Sequence, residues 1–240
     1  MLFTGMKPGD PRKGRKTVTE TGEIEVQLAW RGVKAAADGD LLLETNEGDI
    51  RCRFHDAPAA DVAVLWVFGA GGGFNGPAGG VYPRLAKHIA PRRIASLEVA
   101  YRHPGRFIES VLDVLVGVAY LESIGRTQVV LVGHSFGGAV VIAAGASSEN
   151  VIGVAALSSQ TAGAASIYKL TPRPVLLVHG TNDEVLPSRL SNDLYELAKE
   201  PKQIILYDGA RHGLDECRED LDRDLLAWIL AASAPVKDPI

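Results

Sequence analysis

The stretch Val129-Val130-Leu131-Val132-Gly133-His134-Ser135-Phe136-Gly137-Gly138-Ala139-Val140 constrains this chain more than any other. An apolar run rich in β-branched residues, then Gly-His-Ser-Phe-Gly, then Ala and Val residues suited to a helix, predicts strand, tight turn and helix in succession. A reversal in so few residues forces the central residue into a strained backbone conformation, with its side chain standing clear of both elements. Gly133 and Gly137 are expected because a Cβ at either place would clash with neighbouring backbone. Ser135 is then presented at the start of a helix, where free N–H groups and the helix dipole favour negative charge.

The rest of the chain supplies a frame for that turn. After the break at Asp56-Ala57-Pro58, residues 62–68 are apolar on both faces, as in a central strand covered by helices on either side. Strand-like runs follow at 94–99, 128–132, 151–157, 174–179 and 203–207. Between them, Ile108, Val111, Leu112, Leu115 and Leu121 keep helical spacing, as do Leu190, Leu194 and Leu197, and then Leu221, Leu225, Trp228 and Ile229. Alternating strand and helix argues an α/β fold with a parallel sheet, right-handed crossovers and helices on both faces. Upstream, Ile24, Val26, Leu28 and Trp30 alternate with polar or small residues, which predicts a strand with one buried face. Residues 41–45 and 50–54 flank Asn46-Glu47-Gly48-Asp49 and read as a hairpin.

Length and charge narrow the classes. With 240 residues and 46% hydrophobic content the chain suits one large domain, expected over 23–240, preceded by a flexible arm over 1–22 that carries the basic cluster Arg12-Lys13-Gly14-Arg15-Lys16. A formal net charge of -4 makes no case for nucleic acid or acidic membranes as partners. Cys52 and Cys217 form neither a disulfide framework nor a metal-ligand spacing, so free thiols are expected. The first ten residues lack the apolar core of a signal peptide, and no stretch is apolar for the roughly 18 residues of a membrane span. These features make the cytoplasm the expected location.

In open parallel sheets ligands bind beyond the carboxyl ends of the strands, and three stretches there carry chemistry. Gly69-Ala70-Gly71-Gly72-Gly73 follows the strand ending at Phe68; without side chains its N–H groups can approach a ligand oxygen, as stabilising a tetrahedral oxyanion requires. Ala70 or Gly71 is the expected loop donor, and the Phe136 N–H the second. A phosphate cradle is disfavoured, because no Gly-Lys-Ser/Thr ending and no Gly-x-Gly-x-x-Gly helix start is present. Ser135 needs a base, and the base needs an acid to fix its tautomer. Asp183, in His179-Gly180-Thr181-Asn182-Asp183-Glu184, suits the acid, with Glu184 a nearby competitor. His212 lies in the loop after the last strand, completing the order Ser, Asp, His. Of the other histidines, His134 is expected to point away from the site and His179 to belong to a strand-end turn, while His55, His88 and His103 lack a partner in sequence.

Taken together, Gly-His-Ser-Phe-Gly, His-Gly-Thr-Asn-Asp-Glu-Val-Leu-Pro and Gly-Ala-Arg-His resemble the α/β-hydrolase superfamily over about Leu41 to Ala232. The resemblance implies a mostly parallel eight-stranded sheet with an antiparallel second strand, Ser135 as nucleophile, His212 as base, Asp183 as its orienter, and no metal or organic cofactor. One departure is Phe68-Gly69 where many relatives have His-Gly. Only residues 158–172 occupy the place where relatives insert a helical lid, so no large cap is expected; Phe74, Gln160 and Leu186 are candidate pocket walls. The implied activity is hydrolysis of small-molecule carboxylic esters or thioesters. A peptidase or acyltransferase using the same triad, or a non-catalytic ligand receptor, are the alternatives.

Overall fold

The computed structural model describes residues 28–234 and the backbone of Thr17–Val18 and Ile24–Glu25, which form a separate two-stranded antiparallel ladder. Most of the expected arm, 1–22, lies outside the described residues, as do Val26 and Gln27. Nine strands form the main sheet: β1 Trp30–Ala35, β2 Leu41–Thr45, β3 Ile50–His55, β4 Val62–Val67, β5 Ile94–Ala100, β6 Gln128–His134, β7 Val151–Leu157, β8 Val175–Gly180 and β9 Lys202–Tyr207. Their spatial order is β9-β8-β7-β6-β4-β5-β3-β2-β1. From β9 to β5 every neighbouring pair is parallel. β3 runs antiparallel to β5, and β2 and β1 continue as antiparallel neighbours.

The sheet therefore has nine strands rather than the expected eight, the addition being β1 on the edge. The alternation over 24–30 predicts a half-buried strand, but the segment paired in this sheet starts at Trp30 and is largely exposed, preceded by the buried Leu28. Its register is interrupted between Trp30 and Gly32, a bulge of the kind that turns an edge strand aside from its neighbour. The hairpin forms as expected, pairing Leu41 with Cys52 and Leu43 with Ile50.

Five helices cover the sheet: α1 Pro77–Ile89, α2 Phe107–Ser123, α3 Phe136–Gly145, α4 Arg189–Leu197 and α5 Arg218–Ala232. Strand residues alternate between two cores. Leu65, Val129, Leu131 and Leu177 join α2, α3 and α4 on one side, while Trp66, Val130, Val132 and Leu176 join α1 and α5 on the other. This explains why the central strands are apolar on both faces. α1 escaped the sequence pattern because its first turn is left-handed, with φ of 52°, 60° and 95° at Ala78, Gly79 and Gly80, so helical periodicity starts only at Val81. The connection 158–172 contains a single 3-10 segment, Ala165–Lys169, and no cap domain. Cys52 and Cys217 are buried free thiols, one in each core. No helix among the described residues is long and apolar enough to cross a membrane.

Leu131→Ala, at a fully buried site on the central strand β6, is expected to cost about 2–5 kcal/mol. Val33→Ala, at a 41% exposed site on the edge strand, should stay within about 0.5 kcal/mol. Urea titrations of the two variants check the contrast.

Candidate active site

Ser135 sits between β6 and α3 with φ 57° and ψ -122°, a left-handed conformation that costs a non-glycine residue about 1–3 kcal/mol. The strain is held by hydrogen bonds from its own N–H to Leu157 O at 2.8 Å and from Gly138 N–H to its carbonyl at 3.0 Å. Both expected glycines are sterically required. A Cβ on Gly133 would lie 2.2 Å from Gly137 O, and one on Gly137 would lie 2.3 Å from Phe68 O.

The second of those approaches brings the glycine-rich loop onto the turn. A Cβ on Gly69 would stand 3.5 Å from Ser135 Cβ, so loop and serine are in contact range. Two tyrosines tether the root of the loop: Tyr82 O–H donates to Val67 O at 2.8 Å and Tyr101 O–H to Phe68 O at 3.1 Å. Gly72 N–H closes a turn onto Gly69 O at 2.9 Å. Ala70 and Gly71 are exposed residues, and their N–H groups make no hydrogen bond among the described residues. Phe136 opens α3, where the first N–H groups have no partner within a helix.

Asp183 and His212 meet across two loops, His212 Nδ1–H donating to Asp183 Oδ2 at 2.7 Å. The Asp183 carboxyl is fully buried and its other oxygen accepts the N–H groups of Val185 at 2.8 Å and Leu186 at 2.7 Å. Burial alone raises a carboxyl pKa, but the Leu186 N–H, the His212 ring and the Val185 N–H outweigh it and hold Asp183 below its ordinary range. Glu184, the competitor, is exposed and accepts only the His212 backbone N–H at 3.3 Å. Among the described residues no hydrogen bond joins His212 to Ser135; the turn reaches the His212 loop through the ring of His134, which meets the His212 carbonyl. Gly180, at the end of β8, is pressed against the base loop, since a Cβ there would lie 2.1 Å from Ala210 O.

Two histidines that the sequence left aside belong to this constellation. His179 is fully buried: its Nε2–H faces Asp183 Oδ2 at 3.0 Å and Leu186 O at 2.9 Å, and its Nδ1 pairs with Ser191 Oγ at 2.7 Å. His134 does not point away from the site, because the turn carries its ring back over the base loop. His134 Nε2–H donates to His212 O at 2.9 Å, and the two rings lie 4.8 Å apart. Spacing within the turn could not show this, since the partner is contributed from 78 residues away. Of the candidate walls, Phe74 lines a cleft of about 540 Å³ together with Phe68, Pro83 and Arg84. Gln160 binds back to Ala162 O, and Leu186 acts through its backbone on Asp183 and His179.

No group of three or more His, Cys, Asp or Glu side chains suited to a metal occurs among the described residues. The order of the strands and the turn after β6 are those of the α/β-hydrolase fold. The profile of the Phospholipase/Carboxylesterase family matches residues 107–215, a segment that holds Ser135, Asp183 and His212. Est1E from Butyrivibrio proteoclasticus superposes with a TM-score of 0.69 at 16% identity, covering 80% of this chain and 98% of that one. An alpha-beta serine hydrolase homologue from Coxiella burnetii gives 0.65 at 20% identity, with 80% and 99% covered. Dienelactone hydrolase from Anabaena variabilis gives 0.68 at 15% identity, with 83% and 97% covered. The chain thus has the α/β-hydrolase fold, and its segment 107–215 is similar to the Phospholipase/Carboxylesterase family. In sequence it is similar to the uncharacterized protein YfhR of Escherichia coli K12, 37% identical over 82 residues, which is 33% of this chain and 29% of that protein. The match thus spans less than a third of the relative's length.

Two outcomes follow from this packing. Gly137→Ala should cost roughly 1–3 kcal/mol, because a Cβ there meets fixed backbone rather than a movable side chain; thermal unfolding measures it. The second concerns acid. Burial, with only partial compensation from the His212 carbonyl, pushes the His134 pKa down from 6.5 to about 4. Between those values the unfolded chain binds a proton that the folded chain does not, so stability falls as pH drops through that window, by up to about 3 kcal/mol. Asp183, with its lowered pKa, adds a loss only once pH falls below the ordinary 3.8. Denaturant midpoints between pH 7 and pH 4 should fall steeply in the wild type and more shallowly in His134→Phe.

Proposed function

We propose that the chain is a serine hydrolase of carboxylic esters, with thioesters the next class of substrate. The observation that carries this reading is the 2.7 Å bond from His212 Nδ1–H to the buried Asp183 carboxylate, beside a serine held in a strained turn. The description of the matching family, Phospholipase/Carboxylesterase, favours esters over amides.

In this reading Ser135 Oγ attacks the ester carbonyl carbon while His212 Nε2 accepts its proton. The carbonyl oxygen becomes an oxyanion, which the N–H groups of Phe136 and of Ala70 or Gly71 are placed to receive. Asp183 holds the imidazole in the tautomer that leaves Nε2 free, and stabilises the imidazolium. The C–O bond to the alcohol then breaks, and the alcohol leaves with the proton from Nε2. Water attacks the acyl-enzyme with His212 again as base, and the acid departs as Ser135 recovers its proton. The short 158–172 connection and the 60% exposure of Val185 beside the acid leave the site open, which suits soluble esters or acyl groups carried on something bulky.

Labelling of the purified chain with a fluorophosphonate and turnover of a short-chain chromogenic ester test the assignment together. Ser135→Ala should abolish labelling, and Ser135→Ala and His212→Ala should each lower kcat by about 10⁴-fold or more. Wild-type turnover in Ser135→Ala would overturn the reading.

A further inference from the structure

His134 joins all three parts of the site. Its backbone belongs to the turn that carries Ser135. Its ring lies 5.4 Å from the Phe68 ring, at the root of the glycine-rich loop, with the planes 30° apart. Its other neighbour is the His212 ring at 4.8 Å, and its Nε2–H donates to the His212 carbonyl at 2.9 Å. The side chain is 5% exposed, and Nδ1 is buried with no hydrogen-bond partner among the described residues.

The chemistry of that environment fixes the tautomer. A carbonyl oxygen can only accept, so Nε2 carries the proton and Nδ1 is a bare lone pair. A buried polar atom without a partner costs about 1–3 kcal/mol, and an apolar ring of similar size would avoid that cost. A histidine retained here at such a cost has to do something with its other nitrogen. What Nε2 does is anchor the base loop at the α-carbon whose side chain must reach Ser135. Beyond that anchor the loop is tied by Ala78 N–H to Gly213 O at 2.7 Å, on the far side of His212. These two donors bracket the carbonyls of residues 212 and 213, while Asp183 holds only the ring.

We propose that His134 is a positioning residue: its Nε2–H, through the His212 carbonyl, sets the place of the base over Ser135 and registers the base loop with the turn and the oxyanion loop. The proposal rests on the serine-hydrolase reading. It assigns no contact with substrate to His134.

The test compares His134→Phe, which keeps an aromatic ring against Phe68 but has no donor, with His134→Gln, whose amide N–H can reach the same carbonyl. Fluorophosphonate labelling of Ser135 counts the competent sites, so kcat is read per labelled site and loss of folded protein drops out. For His134→Phe, kcat per site should fall about 10- to 100-fold, as expected for a displacement of the base by an ångström or less, with KM within about 2-fold. The acid limb of its pH–rate profile should move to lower pH, because a displaced imidazole bonds less well to Asp183 and its cation loses support. His134→Gln should recover most of the rate and return the limb. In the wild type, nitrogen NMR at pH 7 should show the His134 ring neutral with the proton on Nε2, a readout that does not depend on either variant folding. Full kcat per site with an unmoved acid limb in His134→Phe, failure of Gln to rescue, or a proton on Nδ1 in the wild type would each overturn the inference. Absence of Ser135 labelling in the wild type would instead overturn the hydrolase reading on which it rests.

Discussion

Backbone pressed against backbone at Gly137 and Gly180 is the constraint from which the arrangement of this site follows. At Gly137 the turn after β6 lies so close to the end of β4 that a methyl group would fall 2.3 Å from Phe68 O. At Gly180 the end of β8 meets the base loop just as closely, at Ala210 O. Neither contact leaves room for adjustment by side chains, and protein interiors at this density move by discrete repacking rather than by yielding. Loops that are usually the mobile part of a fold are therefore held in register by the sheet beneath them. The strained φ of Ser135 is sustained in such a setting, where its own N–H is held by Leu157 O and its carbonyl by the Gly138 N–H.

A second layer of order is electrostatic. Asp183 is a fully buried carboxylate, a group that ordinarily avoids burial, yet its charge is favoured because two backbone N–H groups and His212 converge on it. His179 adds a donor to the same oxygen that His212 uses, and is itself held by Ser191. The Asp183 carboxylate thus has its orientation defined by contacts besides that of His212. His134 works on the opposite side of His212, through the carbonyl. In consequence His212 is held at ring and backbone by different segments, the loop after β8 for the ring and the turn after β6 for the backbone.

Much of this was legible in the sequence because it depends on local pattern. The two-sided apolar runs and the helical spacing specify a covered parallel sheet, and the turn at Gly133 to Gly137 names the serine. The candidate acid and base follow from their places after strands, and the structure brings Asp183 and His212 to 2.7 Å. What the pattern could not show depends on contacts between distant segments. Whether a histidine in the turn faces in or out is decided by a loop 78 residues away. His179 reads as a strand-end residue, and the carboxylate it serves is only four residues on, but that pairing requires the turn between them to fold back. β1 and the left-handed start of α1 were hidden for a different reason: a bulge and a run of positive φ erase the periodicity that makes an element visible.

The same distinction explains why the phenylalanine at position 68 is compatible with this site, where the sequence resemblance leads to the expectation of a histidine. The loop's N–H groups depend on the path of the main chain, and here that path is set by Tyr82 and Tyr101 on the carbonyls of Val67 and Phe68 and by the contact with Gly137. The side chain at 68 is thereby released from holding the loop and can serve as a packing surface, which it does against His134. A histidine there would place a second titratable ring against the buried His134. An apolar ring keeps that corner uncharged, in keeping with the burial that already holds the pKa of His134 down to about 4.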